Sequence, residues 1–134
     1  MTILHFTIEV SRWGLIKWGA DGRIDFVSPV PCPFNYGSVP TMMAADGDPL
    51  DVIVLGPRRK RGSQGSLPVQ GRVRFVDAGS RDDKWICSDQ PISKRDHMML
   101  LTFFAAYVKI KQLRGILLGK KSSRLEGLEI FSKG

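Results

Sequence analysis

The sequence predicts a mainly β domain: a small barrel with one helix at its flank. Three observations carry this. Segments of strand length recur, among them residues 4–10, 52–55 and 84–87. Glycine, proline and asparagine punctuate the gaps between such runs, the pattern of short strands joined by turns. Beyond Asp96 the apolar period lengthens to three and four residues, which is that of a helix.

Taken in order, residues 4–10 alternate apolar and polar side chains, as a half-buried strand does. Residues 13–18 and 23–27 read as two more strands, joined by the hairpin signal Ala20-Asp21-Gly22. Residues 28–33 hold three prolines, which fix φ and keep the chain extended and irregular. Asn35-Tyr36-Gly37 reads as a turn. Residues 52–55 make a buried strand, 57–66 a basic loop, and 67–76 a long strand with Gly71 at a bend or bulge. Residues 84–87 add a short strand. Asp96 is expected to cap a helix that runs to about Leu113 and stops at Gly115. Its apolar residues Met99, Phe103, Ala106 and Ile110 lie at helical spacing, with Leu100, Phe104 and Tyr107 beside them. Residues 116–118 and 128–131 either add strands or cover the barrel. No repeat or low-complexity tract divides the chain, and it reads as one domain over 1–134.

Composition narrows the function classes. The chain has 134 residues, 43% of them apolar and 25% charged, as in an ordinary soluble globule. Its apolar runs are too short to span a bilayer, so no membrane partner is expected. Residues 1–10 lack the basic start of a secretory signal, and a cytoplasmic setting is expected. Cys32 and Cys87 have no metal or redox spacing and are expected to be reduced and packed. His5 and His97 lack ligand spacing, and the pairs Met42-Met43 and Met98-Met99 read as packing groups. The net charge is +7, which points to an anionic partner: nucleic acid, membrane surface or phosphate. Its distribution says more. Glu9, Asp46, Asp48, Asp51, Asp77 and Asp82 fall where one site is expected, and the rest of the chain is strongly basic. A basic shell around an acidic centre fits a metal-bound polyanion.

Asp46-Gly47-Asp48-Pro49-Leu50-Asp51 is the most informative stretch. It sets three carboxylates around a bend ahead of an apolar strand. Hard divalent cations take oxygen ligands, and Mg²⁺ needs few carboxylates when a substrate brings phosphates. Asp46 and Asp51 can reach a metal from either side of the bend, and Asp48 can hold or deprotonate its water. A lone hexapeptide of this kind is equally an ordinary surface turn. The second acidic cluster, residues 77–83 followed by Lys84, weakens that bland reading. Asp77 and Asp82 can flank a loop and face one cavity, with Lys84 as a cation for phosphate. Residues 46–57 are not an EF-hand loop, since Pro57 stands where the twelfth position needs Glu. Residues 115–122 space their glycines one residue too closely for a phosphate loop.

These ordered motifs resemble the soluble family I inorganic pyrophosphatases over residues 7–84, and more weakly around Tyr107. Asp46 to Asp51 matches the family's Asp-x-Asp-Pro-x-Asp. Ser28-Pro29-Val30-Pro31 and Asn35-Tyr36-Gly37 match the segment upstream of it. Asp77, Asp82 and Lys84 keep the family spacing, as do Glu9 and Lys17. The resemblance implies a five-stranded OB-like β-barrel and Mg²⁺-dependent hydrolysis of pyrophosphate, with Mn²⁺ or another divalent cation as an alternative. It implies that Asp46, Asp51 and Asp82 hold the tighter metal, and that Asp51 bridges to a second. Asp77 joins Asp82 on a substrate-associated metal, and Glu9 serves an additional metal or its waters. Asp48 is then the general base, while Lys17, Tyr36, Lys84 and Tyr107 bind phosphate oxygens. A homo-oligomer is implied as well.

The chain departs from the family pattern in several places. Lys17-Trp18-Gly19 lacks one acid, the segment before Ser28 is shorter and lacks an aligned Arg, Cys32 replaces Tyr, and Val108 replaces Lys. These changes fall on phosphate and outer-metal contacts and leave the central aspartates intact. Two other readings stand beside this one. A non-catalytic OB-like module for single-stranded nucleic acid draws on the net charge, on Arg58-Arg59-Lys60-Arg61 and on Trp13, Trp18 and Trp85. Its difficulty is the acidic set, which repels a phosphate backbone when no metal is bound. A pyrophosphatase-derived protein that binds metal without turnover is the other.

Overall fold

Strand β1 (Ile3–Val10) turns Leu4, Phe6, Ile8 and Val10 to the interior and leaves Ile3 and His5 outside, as its alternating sequence predicts. The computed structural model describes residues 2–14, 16–18, 24–27, 31–44, 47–77, 79–119 and 123–131, with the backbone alone at 16–18, 24–27 and 114–118. β2 (Ile16–Trp18) and β3 (Ile24–Val27) form a hairpin. Next come β4 (Asn35–Met43), β5 (Pro49–Val54), β6 (Gln64–Asp77), β7 (Ser80–Arg81) and β8 (Lys84–Cys87). The helix α1 (Lys94–Leu118) and strand β9 (Arg124–Ile130) complete the order.

Five of these strands close on themselves in the order β1-β4-β5-β8-β6, and β6 returns to β1. The barrel is OB-like, mainly β and flanked by one helix, as expected. β6 makes closure achievable because it is long enough to serve two neighbours in turn. Its residues Gln64 to Pro68 pair with β1, and Val69 to Val73 pair with β8. The register shifts between Val69 and Gly71, where a bulge was expected. β5 and β8 run parallel; the other barrel pairings are antiparallel.

The core has two layers, because β5 is buried on both faces. Val52 and Val54 join Leu4, Phe6, Ile8, Val39, Val69 and Cys87 inside the barrel. Ile53 and Leu55 face the other way and meet Phe34, Val73, Phe75, Ile86 and the helix residues Leu100 and Phe104. Cys32 and Cys87 are free and buried, and burial pushes each thiol up to about 12.

Several local expectations are corrected. Asn35-Tyr36-Gly37 opens β4 instead of turning the chain. The fully buried Asn35 spends its turn chemistry on other segments: its Oδ1 accepts from the backbone N–H groups of Arg12 and Arg59, and its Nδ2 donates to Pro57 and Val54 carbonyls. Gly37 is needed for close approach, since a Cβ there meets the Thr7 carbonyl of β1. β5 starts at Pro49 and β6 at Gln64, both earlier than expected, while residues 12–13 stand outside β2 in a turn. Ser93, not Asp96, is the N-cap. The Ser93 Oγ accepts the Asp96 N–H at 3.0 Å, and the Asp96 carboxylate accepts the Ser93 N–H at 3.5 Å. The helix runs through Gly115 to Leu118 and ends before Gly119, whose φ is 68°. Residues 116–118 are therefore helical, and 128–131 belong largely to β9. The buried stripe of α1 is Leu100 and Phe104, supported by Met99, Phe103, Tyr107 and Val108; Ala106 and Ile110 face outward. Met42, Met43 and Met98 are exposed and are not packing groups. The 20–22 turn and residues 28–30 lie outside the described residues.

Phe104 fixes the helix to the sheet. It stacks on Phe34 at 5.9 Å and meets Phe75, Phe103 and Tyr107 at centroid distances of 5.2–6.1 Å. Phe104→Ala is expected to lower unfolding free energy by about 3–5 kcal/mol in urea titrations. Met98→Ala, on the exposed side, is expected to change it by no more than about 0.5 kcal/mol.

Candidate active site

The alternation of β5 that sends Ile53 toward the helix sends Asp51 the same way. On β8, Lys84 shares this face with Ile86, and the parallel register sets Lys84 directly beside Asp51. Tyr36 on β4 is opposite Ile53 and joins the same layer. The sheet thus places a tyrosine, an aspartate and a lysine at the edge of the helix-facing core.

Lys84 is the centre of the cluster. Its side chain is 5% exposed, and its Nζ donates to Asp51 Oδ2 at 2.9 Å and Asp82 Oδ2 at 2.7 Å. The same Nζ lies 5.8 Å from the Tyr36 ring and 5.7 Å from the Phe75 ring. Burial alone pulls the ammonium's pKa down, but Asp51 and Asp82 more than offset this and hold it above its ordinary value. Asp82 behaves oppositely. Burial, reinforced by Asp51, raises its carboxyl to about 6 despite the lysine. Tyr36 is pushed well up by burial and then by the charge of Asp51, so its phenol stays protonated. Tyr107 of α1 closes the group, with its ring 5.7 Å from Phe75 and 6.1 Å from Phe103.

Asp77, at the end of β6, has partners of its own. Its Oδ2 accepts from Lys111 Nζ at 3.2 Å and its Oδ1 from the Ser123 hydroxyl at 2.9 Å. Burial raises its pKa, yet Lys111 and Ser123, helped by Lys84, bring it below the ordinary value. Asp77 is therefore paired with Lys111 and also feels the charge of Lys84.

The other expected residues are less central. Asp48 is exposed in the turn into β5, where its carbonyl accepts the Ala44 N–H at 2.8 Å and Gly47 takes a φ of 86°. Glu9 is half-buried on β1, one residue before Val10, which pairs with Tyr36. Lys17 sits opposite Phe26 in the β2–β3 hairpin, and its side chain lies outside the description. Asp46 lies outside the described residues. Among the described residues no three acidic, histidine or cysteine side chains converge as a metal-binding group.

The sequence reading missed Lys111 and Ser123. Lys111 lies one helical turn beyond Tyr107, on the same face, and that spacing was the available signal. Ser123 carries no local signal. Asp83 belongs elsewhere than its neighbours: its Oδ1 accepts the Phe75 N–H at 2.9 Å and an Arg81 N–H at 3.0 Å, clipping β8 to β6. Trp85 packs on Phe131 beneath Arg72, so it is no open platform for a base.

A family model described as inorganic pyrophosphatase matches residues 6–113. An inorganic pyrophosphatase of a Pseudanabaena species is 40% identical over 95 residues, covering 63% of this chain and 52% of its own. A soluble inorganic pyrophosphatase of Oryza sativa is 32% identical over 99 residues, covering 66% and 46%. The chain thus spans about half the length of the curated relatives it matches. Among solved structures, the pyrophosphatase of Helicobacter pylori superposes with a TM-score of 0.76 at 25% identity, over 96% of this chain and 84% of that one. The Thermus thermophilus pyrophosphatase gives 0.73 at 25% identity, over 96% and 82%.

The raised carboxyl of Asp82 has a measurable sign. The folded state binds this proton more tightly than the unfolded chain, so the charge costs stability as pH rises from 3.8 to about 6. In EDTA, Asp82→Asn is expected to gain stability relative to wild type between about pH 4 and about pH 7.5, read as urea midpoints. A gap that stays constant across that range refutes the assignment.

Proposed function

This chain belongs to the inorganic pyrophosphatase family, and on that footing we propose that it hydrolyses pyrophosphate to two phosphates with Mg²⁺ as the working cation. The observation that carries this is the junction of Asp51 and Asp82 on one buried cation, within a motif order the family shares. Two carboxylates that are 16% and 13% exposed and aim at one positive charge are hard oxygen donors. Their chemistry fits Mg²⁺ or Mn²⁺.

In this reading Asp46, Asp51 and Asp82 would hold the tighter cation, Asp77 and Asp82 would hold a second, and Glu9 would serve a further one. Bound divalent cations neutralise phosphate charge and make water a better nucleophile. Asp48 takes the proton of the attacking water as the new P–O bond forms and the bridging P–O bond breaks. Lys84, Lys17 and Tyr107 bind phosphate oxygens and offset charge on the leaving phosphate. Tyr36, kept protonated, donates a hydrogen bond to the same groups. The reading extends to one domain over 1–134, to a homo-oligomer by resemblance, and to a cytoplasmic setting. The last draws on relatives named soluble inorganic pyrophosphatases; no described helix is long and apolar enough to cross a membrane.

Phosphate release from pyrophosphate with Mg²⁺ is the direct test, and no turnover above a blank sinks the proposal. Two substitutions divide the roles. Asp48→Asn is expected to lose about 10²–10⁴-fold in rate while keeping the melting shift that Mg²⁺ gives. Asp51→Asn is expected to lose both. Wild-type turnover in Asp48→Asn removes the general base, and a full Mg²⁺ shift in Asp51→Asn moves the metal site elsewhere.

A further inference from the structure

We propose that Lys111 is a further phosphate-binding residue of this site, exchanging Asp77 for a phosphate oxygen when ligand arrives; the inference rests on the pyrophosphatase reading. Four observations lead there. Lys111 is anchored to the site by the 3.2 Å contact with Asp77, and its Nζ lies 5.5 Å from the Tyr107 ring. Its side chain is 20% exposed, so the ammonium is held at the cluster yet open to a solute. Asp77 feels the charge of Lys84 as well, so the Lys111–Asp77 pair borders the Lys84 cluster. Asp77 also has Ser123 Oγ at 2.9 Å, a buried donor that holds the carboxylate in place when the lysine leaves.

The chemistry follows from charge. The described cluster sets the carboxylates Asp51, Asp82 and Asp77 against the ammonium groups Lys84 and Lys111. A divalent cation would compete for those carboxylates and weaken the counter-charge that each gives its ammonium. A phosphate oxygen, which enters with the cation, supplies it. The long lysine stem lets Nζ swing between the two partners while Tyr107 lies beneath its path. Val108, next to Tyr107, offers no cation, and Lys109 is on the exposed side of the helix. Lys111 is the described lysine of α1 in contact with this patch.

The test is calorimetric binding of inorganic phosphate in Mg²⁺ by wild type, Lys111→Met and Lys111→Arg, with melting curves beside it. Losing a charge-assisted phosphate contact is expected to weaken binding about 10- to 100-fold in Lys111→Met. Lys111→Arg is expected to recover most of it, and in turnover the loss appears in KM more than in kcat. A purely structural Lys111 instead lowers the melting temperature of Lys111→Met and leaves phosphate affinity unchanged, which overturns the inference. A wild-type measurement needs no variant to fold: amine-reactive labelling of Lys111, mapped by mass spectrometry. Labelling is expected to rise with Mg²⁺ alone and fall when phosphate is added. Labelling indifferent to phosphate also overturns the inference. If wild type binds phosphate and Lys111→Met binds it equally well, this inference fails and the proposed function stands. If wild type binds none in Mg²⁺, both fail.

Discussion

A buried lysine held between two half-buried aspartates governs this structure. Such a junction is a poor way to stabilise a fold, because desolvating three charges costs about as much as their attraction returns. Asp82 shows the imbalance, since its carboxyl rises to about 6 even with an ammonium at 2.7 Å. An apolar trio in the same place would serve the core better. Retaining the charges makes sense where the carboxylates must receive a cation and the lysine must meet an anion. The charges stand in a locally unfavourable arrangement, which the proposed cation and phosphate would relieve.

The surrounding fold is arranged to hold that junction. β5 buries both faces, so its alternation can commit Val52 and Val54 to the barrel interior while Ile53 and Asp51 face the helix. The parallel register with β8 then makes Asp51 and Lys84 neighbours without a turn between them. Phe75, Phe104 and Tyr107 pack together as an aromatic wall on one side of the junction. Asp83 is the less visible support. It is adjacent in sequence to both Asp82 and Lys84, and it fastens the loop that presents them by binding the Phe75 N–H.

How much of this was legible depended on distance along the chain. Asp51, Asp82 and Lys84 were readable because their spacing within short motifs is itself the signal. The barrel was readable for a similar reason: strand-length runs and turns are local features. Asn35 was misread because its turn-forming side chain binds the backbone of Arg12, Arg59 and Pro57, which sequence does not show as neighbours. Asp83 was grouped with the acids beside it, although its carboxylate serves structure. Lys111 and Ser123 escaped because they reach Asp77 only through the packing of α1 and β9 on β6. The helix end was misplaced because Gly115 is tolerated inside a helix whose other face is well packed.

The closure of β1 on β6 has a consequence for how the molecule assembles. Ile3 pairs with Pro68 and Thr7 with Gln64, so these contacts join segments that are far apart along the chain. Loop-closure entropy must be met before such contacts return any energy, which makes them late and slow to form. The β4–β5 hairpin can form early on its own. Asp51, however, meets Lys84 through β8, and β8 is held in place by β6. A partly folded chain therefore displays scattered aspartates and no junction around Lys84. That junction assembles late in folding, once the long strand is in place.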